Sequence, residues 1–244
     1  MPTVNNAFYS DLGERWFTAD DHAVALLRAE TALKLAYTRE ALARAGIGPG
    51  ARVLDVACGA GFTALPLAEA GYRVRGMDLA EGAIRAARRR AAGLDAEFYV
   101  GDAYALDEPD GAFDAVLLLD MLEHVERPGD VLREAARVLR PGGIAVFHTF
   151  NRTPLAWALA IHGFKFVVRE APEHIHVYRL FIPPRDLERM AGAAGLSVRE
   201  VRGVRPVVDG AFWRSVARRR LDKGFRFTYA PSRAVAYIGH AAKG

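Results

Sequence analysis

A single cysteine, Cys58, stands among the 244 residues, so no internal disulfide can brace the fold. No apolar run approaches the roughly 18 residues needed to cross a bilayer, and the N-terminal residues lack the pattern of a signal peptide. No RNA-binding signature accompanies the basic residues, so nucleic acid is not an expected partner. A cytoplasmic single domain is therefore the expectation, its stability drawn from burial. With 51% hydrophobic and 25% charged residues, the chain can build a sizeable core. Cys58 lies beside a glycine in a turn and reads as a small buried filler, with a nucleophilic role as the alternative.

Charge is unevenly distributed. The net charge is +4, yet Arg202 to Arg226 carries eight basic residues against Asp209 and Asp222, leaving the remainder slightly acidic. With Phe212, Trp213, Phe225 and Phe227 interleaved, that run suits an anionic membrane surface; a solvated helix face is the alternative.

Most informative is Val53 to Asp78. Val53–Val56 is a nearly continuous apolar run, as in a buried parallel strand, and Gly59-Ala60-Gly61 follows as a turn where backbone can approach a ligand closely. A helix is expected over Phe62–Ala70 and a second strand over Tyr72–Met77, with Asp78 at its carboxyl end, where doubly wound sheets bind ligands and a carboxylate accepts ribose hydroxyls. The glycines alone also satisfy the dinucleotide pattern G-x-G-x-x-G/A, which keeps an NAD-binding oxidoreductase in view. Asp55 tilts the choice: a carboxylate at the loop mouth gains little beside a pyrophosphate, but suits the ammonium and sulfonium of S-adenosylmethionine (SAM).

Further strands are expected at Ala96–Val100, ending on Gly101-Asp102-Ala103, where Asp102 can accept from an adenine amino group, and at Phe113–Leu119 and Ile144–Thr149. An amphipathic helix over Val131–Leu139, stopped by Arg140-Pro141-Gly142-Gly143, separates the last two. Pro183–Ala194 reads as a helix, and Leu196–Val204 and Ala234–His240 as a closing antiparallel pair. The fold class is thus α/β, a Rossmann-like doubly wound sheet of seven strands. Residues 1–50 form a helical cap with a helix over Ala23–Ala45, in which Asn5 to Tyr9 and Trp16-Phe17 cover the cofactor or line the acceptor pocket. Residues 51–149 form the cofactor core, 150–182 an insertion after strand five, and 183–244 the closing helix and strands.

LDVACGAG, Asp78, GDA at 101–103, FDAVLLLDMLEHV at 113–125 and LRPGGIAVF at 139–147 resemble, in order and spacing, the class I SAM-dependent methyltransferases. The segment from Phe150 to Leu187, FNRTPLAWALAIHGFKFVVREAPEHIHVYRLFIPPRDL, taken with MLEHV, is similar to the ubiquinone-biosynthesis O-methyltransferases, which act on polyprenylated dihydroxyphenols. The resemblance implies SAM as methyl donor, held by Lys34, Asp55, Ala57, Gly59, Gly61, Asp78, Leu79, Asp102, Ala103 and Leu119. It departs from the family at Ala57, usually glycine, at Lys34, usually arginine, and at Glu173 to His176, where threonine-histidine-aspartate is more usual. A different small phenol or natural product as acceptor remains the alternative.

Asp120, Glu123 and His124 stand just past the fourth strand, beside the expected methyl group. The resemblance implies that they hold a divalent cation, and two carboxylates suit Mg²⁺; helix capping is the plain alternative. A catechol hydroxyl must lose its proton as it attacks the methyl group, through a cation or with His124 or Glu123 as general base. His174 and His176 read as surface or acceptor-pocket residues. In the insertion, Pro154–Val168, Leu155, Leu159 and Phe166 share one helical side, with Trp157, Ile161, Phe164 and Val168 widening the apolar area. The segment is too short to span a membrane, but it can lie at the interface and admit a prenyl tail, with core packing as the alternative.

Overall fold

The computed structural model describes residues 12–244. Helices α1 (Arg15–Thr18) and α2 (Val24–Arg44) precede β1 (Arg52–Val56), α3 (Ala64–Glu69), β2 (Arg73–Asp78), α4 (Glu81–Arg90), β3 (Ala96–Val100) and β4 (Phe113–Leu119). A 3₁₀ turn at Leu122–His124 leads into α5 (Pro128–Val138) and β5 (Leu139–Phe150). The insertion follows as α6 (Pro154–Trp157), a π-helical stretch over Ala158–Gly163, and α7 (Phe164–Val167). Then come a 3₁₀ turn at Tyr178–Leu180, α8 (Pro184–Ala193), β6 (Leu196–Pro206), α9 (Gly210–Arg218), β7 (Phe227–Ala230) and β8 (Ala236–Lys243).

The strands form one sheet in the order β3-β2-β1-β4-β5-β8-β6-β7, parallel from β3 through β5 and antiparallel beyond. The strand order reverses at β1, which pairs β2 on one side and β4 on the other, so a crevice opens at the carboxyl ends of those strands. Alternation along each strand feeds two cores. Leu54, Val56, Val116 and Leu118 pack with α5 and α8, while Val53, Ala115 and Leu117 pack with α2, α3 and α4.

Several boundaries differ from expectation for local reasons. The helix expected from Phe62 begins at Ala64, because residues 60–63 belong to the turn, and the helix expected from Val131 begins at Pro128, whose fixed φ suits a first helical position. Pro141-Gly142-Gly143 lies within β5 at a register shift against β4; a Cβ on Gly143 would stand 2.9 Å from the Asp114 carbonyl oxygen. The sheet has an eighth strand, β7, a four-residue edge element paired with Gly203–Pro206.

Residues 12–21 strap the cap to three parts of the molecule. Glu14 pairs with Arg90, Arg15 with Glu170 beyond the insertion, and Asp20 with Arg220 after α9. Arg90 also lies over the Phe17 ring, 3.5 Å from its centroid. Asn5 to Tyr9, expected to share in the cap, lie outside the described residues. No described helix is long and apolar enough to cross a membrane.

Candidate active site

A cavity of about 360 Å³ opens at the carboxyl ends of β1, β2, β3 and β4. Nine of the ten residues expected to hold the cofactor line it: Lys34, Asp55, Ala57, Gly59, Asp78, Leu79, Asp102, Ala103 and Leu119. Gly61 lies behind the wall, against Leu65 and Phe98. Gly59 has φ +54, and a Cβ there would meet the Trp16 ring at 3.3 Å. Its N–H donates to Asp78 Oδ2 (2.9 Å), and that of Ala80 to Oδ1 (2.8 Å). Asp78 is thus fixed by backbone while each oxygen keeps lone-pair capacity for a ligand. Ala57 takes φ +58, a left-handed conformation that glycine adopts without cost, which accounts for the glycine more usual there.

Burial first, then the neighbouring Asp78 and Asp120, push the Asp55 carboxyl up to about 7. Burial likewise pushes the Cys58 thiol up, away from nucleophilic character, in keeping with the filler reading.

Behind this cavity stands a buried charge cluster. Lys34 Nζ lies 2.9 Å from Glu30 Oε2 and also bonds Asp120 Oδ2, while Asp120 Oδ1 bonds His148 Nδ1. Burial disfavours charge on Lys34, yet Asp120 and Glu30 outweigh it and raise its affinity for the proton. Burial equally disfavours the Asp120 carboxylate, and Lys34 and His148 reverse that, holding its carboxyl well below the usual range. Asp120 adopts φ +56, tolerated by aspartate better than by most residues, at the point where β4 ends and its N–H reaches the His148 carbonyl (3.1 Å).

A second cavity, about 410 Å³ and mainly apolar, runs between α2, the insertion and α9, lined by Leu27, Leu159, Phe164, Phe166, Phe212, Trp213, Phe225 and Phe227 among others. Asp120 and His124 line both cavities and so stand where the two meet. His176 lines the apolar one, 5.4 Å from His124 between ring centroids, with Phe150 against it at 4.8 Å. Glu123 is fully buried and accepts from Thr149 Oγ1 at 2.7 Å. Burial, then the Asp120 carboxylate, raises its proton affinity. Burial and His176 push the His124 imidazole down to about 3, so it is neutral at physiological pH.

The expected trio of Asp120, Glu123 and His124 is divided. Asp120 groups with Glu30 and His148, and Glu123 with His124 and His176. His174 is exposed, as the surface reading expects, whereas His176 faces the cavity. Glu30 and His148 carry no expectation as site residues, whereas His176 meets the acceptor-pocket alternative. The spacing Glu30–Lys34 on a helix and a histidine inside the apolar strand VFHTF are the signals that mark the first two.

In the insertion, Leu155, Trp157, Leu159 and Phe166 are exposed, at 42–65% of their free area, whereas Val168 is fully buried. The basic run 202–226 is not a single face. Arg202 pairs with Glu40 and Glu200, Arg214 with Asp222, Arg220 with Asp20, and Arg226 with Asp209.

Residues 54–147 match the family model described as a methyltransferase domain. The ubiquinone biosynthesis O-methyltransferase of Thiobacillus denitrificans is 36% identical over 81% of this chain and 84% of its own length. That of Methylocella silvestris is 38% identical over 81% and 83%. Among solved structures, a SAM-dependent methyltransferase of Thermotoga maritima, described as a possible histamine N-methyltransferase, superposes with TM-score 0.62 over 95% of this chain and 94% of its own, at 20% identity. The magnesium protoporphyrin IX methyltransferase of Synechocystis, with bound S-adenosylhomocysteine, gives TM-score 0.60 over 87% and 83%, also at 20% identity. Fold and sequence therefore agree: the chain belongs to the class I SAM-dependent methyltransferases and is similar over four-fifths of its length to the ubiquinone biosynthesis O-methyltransferases.

Proposed function

We propose that this enzyme transfers the methyl group of SAM to a phenolic hydroxyl of a polyprenylated dihydroxyphenol, as in ubiquinone biosynthesis. The observation that carries the reading is the meeting of two unlike cavities at Asp120 and His124. One is edged with strand-end carboxylates, the other apolar and walled by the insertion and α9. A SAM-sized polar ligand and an acceptor with a hydrocarbon tail fit these two chemistries, and the reacting atoms would meet where the cavities join.

In this reading Asp78 takes the ribose hydroxyls, Asp102 the adenine edge, and Asp55 the donor's cationic end, with Lys34 near its carboxylate. Leu79 and Leu119 supply apolar contact. Attack by the acceptor oxygen forms an O–C bond as the S–C bond breaks, and the bonding pair stays on sulfur. The hydroxyl must give up its proton in the process. His124 is the group at the junction that can deal with it as a base, and with the buried Glu123 next to it in sequence it could instead hold a cation that would acidify the hydroxyl. A neutral His124 adds no repulsion toward the cationic methyl donor. The oxygen-rich set expected for Mg²⁺ fits poorly, because both Asp120 oxygens are bonded by Lys34 and His148. The exposed apolar side chains of the insertion support membrane contact as the route by which a tailed acceptor enters; the paired arginines of 202–226 support it less.

The test is methyl transfer from SAM to a prenylated catechol against an untailed one. The tailed acceptor is expected to have at least about tenfold higher kcat/KM, since a few buried methylenes suffice for that. His124→Ala should lower turnover at least about tenfold with SAM affinity within about threefold. Equal use of both acceptors would turn the reading toward another small phenol.

A further inference from the structure

The apolar cavity carries a carboxylate on its α2 wall. Leu26, Leu27 and Glu30 share one face of that helix by i, i+3 and i+4 spacing and line the cavity together. Glu30 is the charged member, and its carboxylate lies within 4.8 Å of that of Asp120, at the junction with the cofactor cavity.

That carboxylate is fixed on one side and open on the other. Glu30 Oε2 lies 2.9 Å from Lys34 Nζ, the same ammonium that bonds Asp120. Glu30 Oε1 faces His148 Nε2 at 3.5 Å, but that nitrogen has no hydrogen-bond partner among the described residues, so the two are not bonded. Asp120 differs, with Lys34 on one oxygen and His148 on the other. Among the described residues Glu30 Oε1 therefore keeps acceptor capacity that its neighbour has already used. Most of the cavity around it is hydrocarbon. An apolar ring and tail filling that space expel water, and the carboxylate loses a donor unless the occupant brings one.

We propose that Glu30 accepts a hydrogen bond from the second hydroxyl of the acceptor, the one that is not methylated, and thereby selects phenols with two adjacent hydroxyls. The inference rests on the proposed methylation of a dihydroxyphenol and adds the residue that reads the second oxygen. His124 meets the reacting hydroxyl at the junction, and Glu30 holds its neighbour from the α2 side. A site built to bond a substrate hydroxyl rejects the analogue lacking it far more strongly than an apolar pocket sorts by size, because the unpaired group is left dry. Lys34 then serves both cavities: it lines the cofactor cavity while its ammonium fixes Glu30.

With SAM saturating, the wild-type enzyme should use a prenylated catechol at least about a hundredfold better in kcat/KM than the prenylated phenol that lacks the second hydroxyl. Glu30→Leu should cut that preference at least about tenfold, through loss on the catechol. Glu30→Gln, which keeps hydrogen-bonding capacity at the site, should fall between the two. A ratio of two acceptors on one protein cancels any change in SAM affinity or in folded fraction, so a Glu30 that merely holds Lys34 would leave the ratio unmoved. An unchanged ratio in Glu30→Leu would overturn the inference while the proposed reaction stands, as would equal use of both phenols by the wild type. Absence of transfer to either phenol by the wild type would overturn the reaction, and the inference with it.

Discussion

Asp55 is the side chain whose charge state most directly governs the cofactor cavity. Buried in β1 and facing two other carboxylates, it is pushed up to about 7, so near neutrality the ligand-free protein carries it partly protonated. A cationic ligand favours the ionised form, and binding therefore releases a proton. The sign follows by linkage: SAM affinity falls as pH drops below about 7 and rises toward a plateau above it. Calorimetry between about pH 6 and 7.5 should show the dissociation constant improve by roughly fivefold or more, and Asp55→Asn should bind more weakly with a flat profile. A flat profile in the wild type would show that Asp55 is ionised throughout. The same shift bears on stability in the opposite direction. A raised carboxyl stabilises the folded chain fully below its unfolded value, and that contribution is lost as pH rises through about 7.

At the scale of elements, the insertion carries two roles on two sides. Ala156, Ala160 and Val167 are buried and tie it to the body, whereas Leu155, Trp157, Leu159 and Phe166 remain exposed, with Trp213 of α9 also exposed. Exposed apolar groups so close together mark a contact surface. Replacing Trp157, Leu159 and Phe166 by serine should reduce association with phospholipid vesicles at least about tenfold, read by sedimentation, with SAM affinity unchanged. Association at wild-type strength would move the membrane contact elsewhere. The insertion was legible in the sequence because it follows an unmistakable strand, and so were the core strands, whose apolar runs and glycine turns are set locally. The eighth strand was not, because four residues at a sheet edge carry no periodicity of their own. Nor was the division of Asp120 from Glu123 and His124. Those residues are adjacent in sequence, but Asp120 is turned by a left-handed backbone toward Lys34 and His148, which arrive from α2 and β5.

For the molecule as a whole, the question is how a donor enters a cavity that its own N-terminal segment covers. Trp16 is 2% exposed, lies over Gly59 and meets Phe62 edge-on, so the strap closes the cofactor loop with apolar surface. The strap is fastened to α4, to the insertion and to the segment after α9 by the surface ion pairs Glu14–Arg90, Arg15–Glu170 and Asp20–Arg220, beside backbone hydrogen bonds from the Glu170 N–H to the Asp21 carbonyl and from the Leu221 N–H to the Asp20 carbonyl. Such pairs are individually weak and are screened by salt. The expectation is that the strap lifts without unfolding the sheet beneath it and that its ion pairs help to set how fast SAM leaves. Stopped-flow displacement should show the SAM dissociation rate rising by a factor of about two to five between roughly 0.05 and 0.5 M salt. Glu14→Gln should raise the rate at low salt and reduce that dependence. A rate indifferent to both would mean that the apolar seal of Trp16 and Phe62, and not the charged fastenings, limits release.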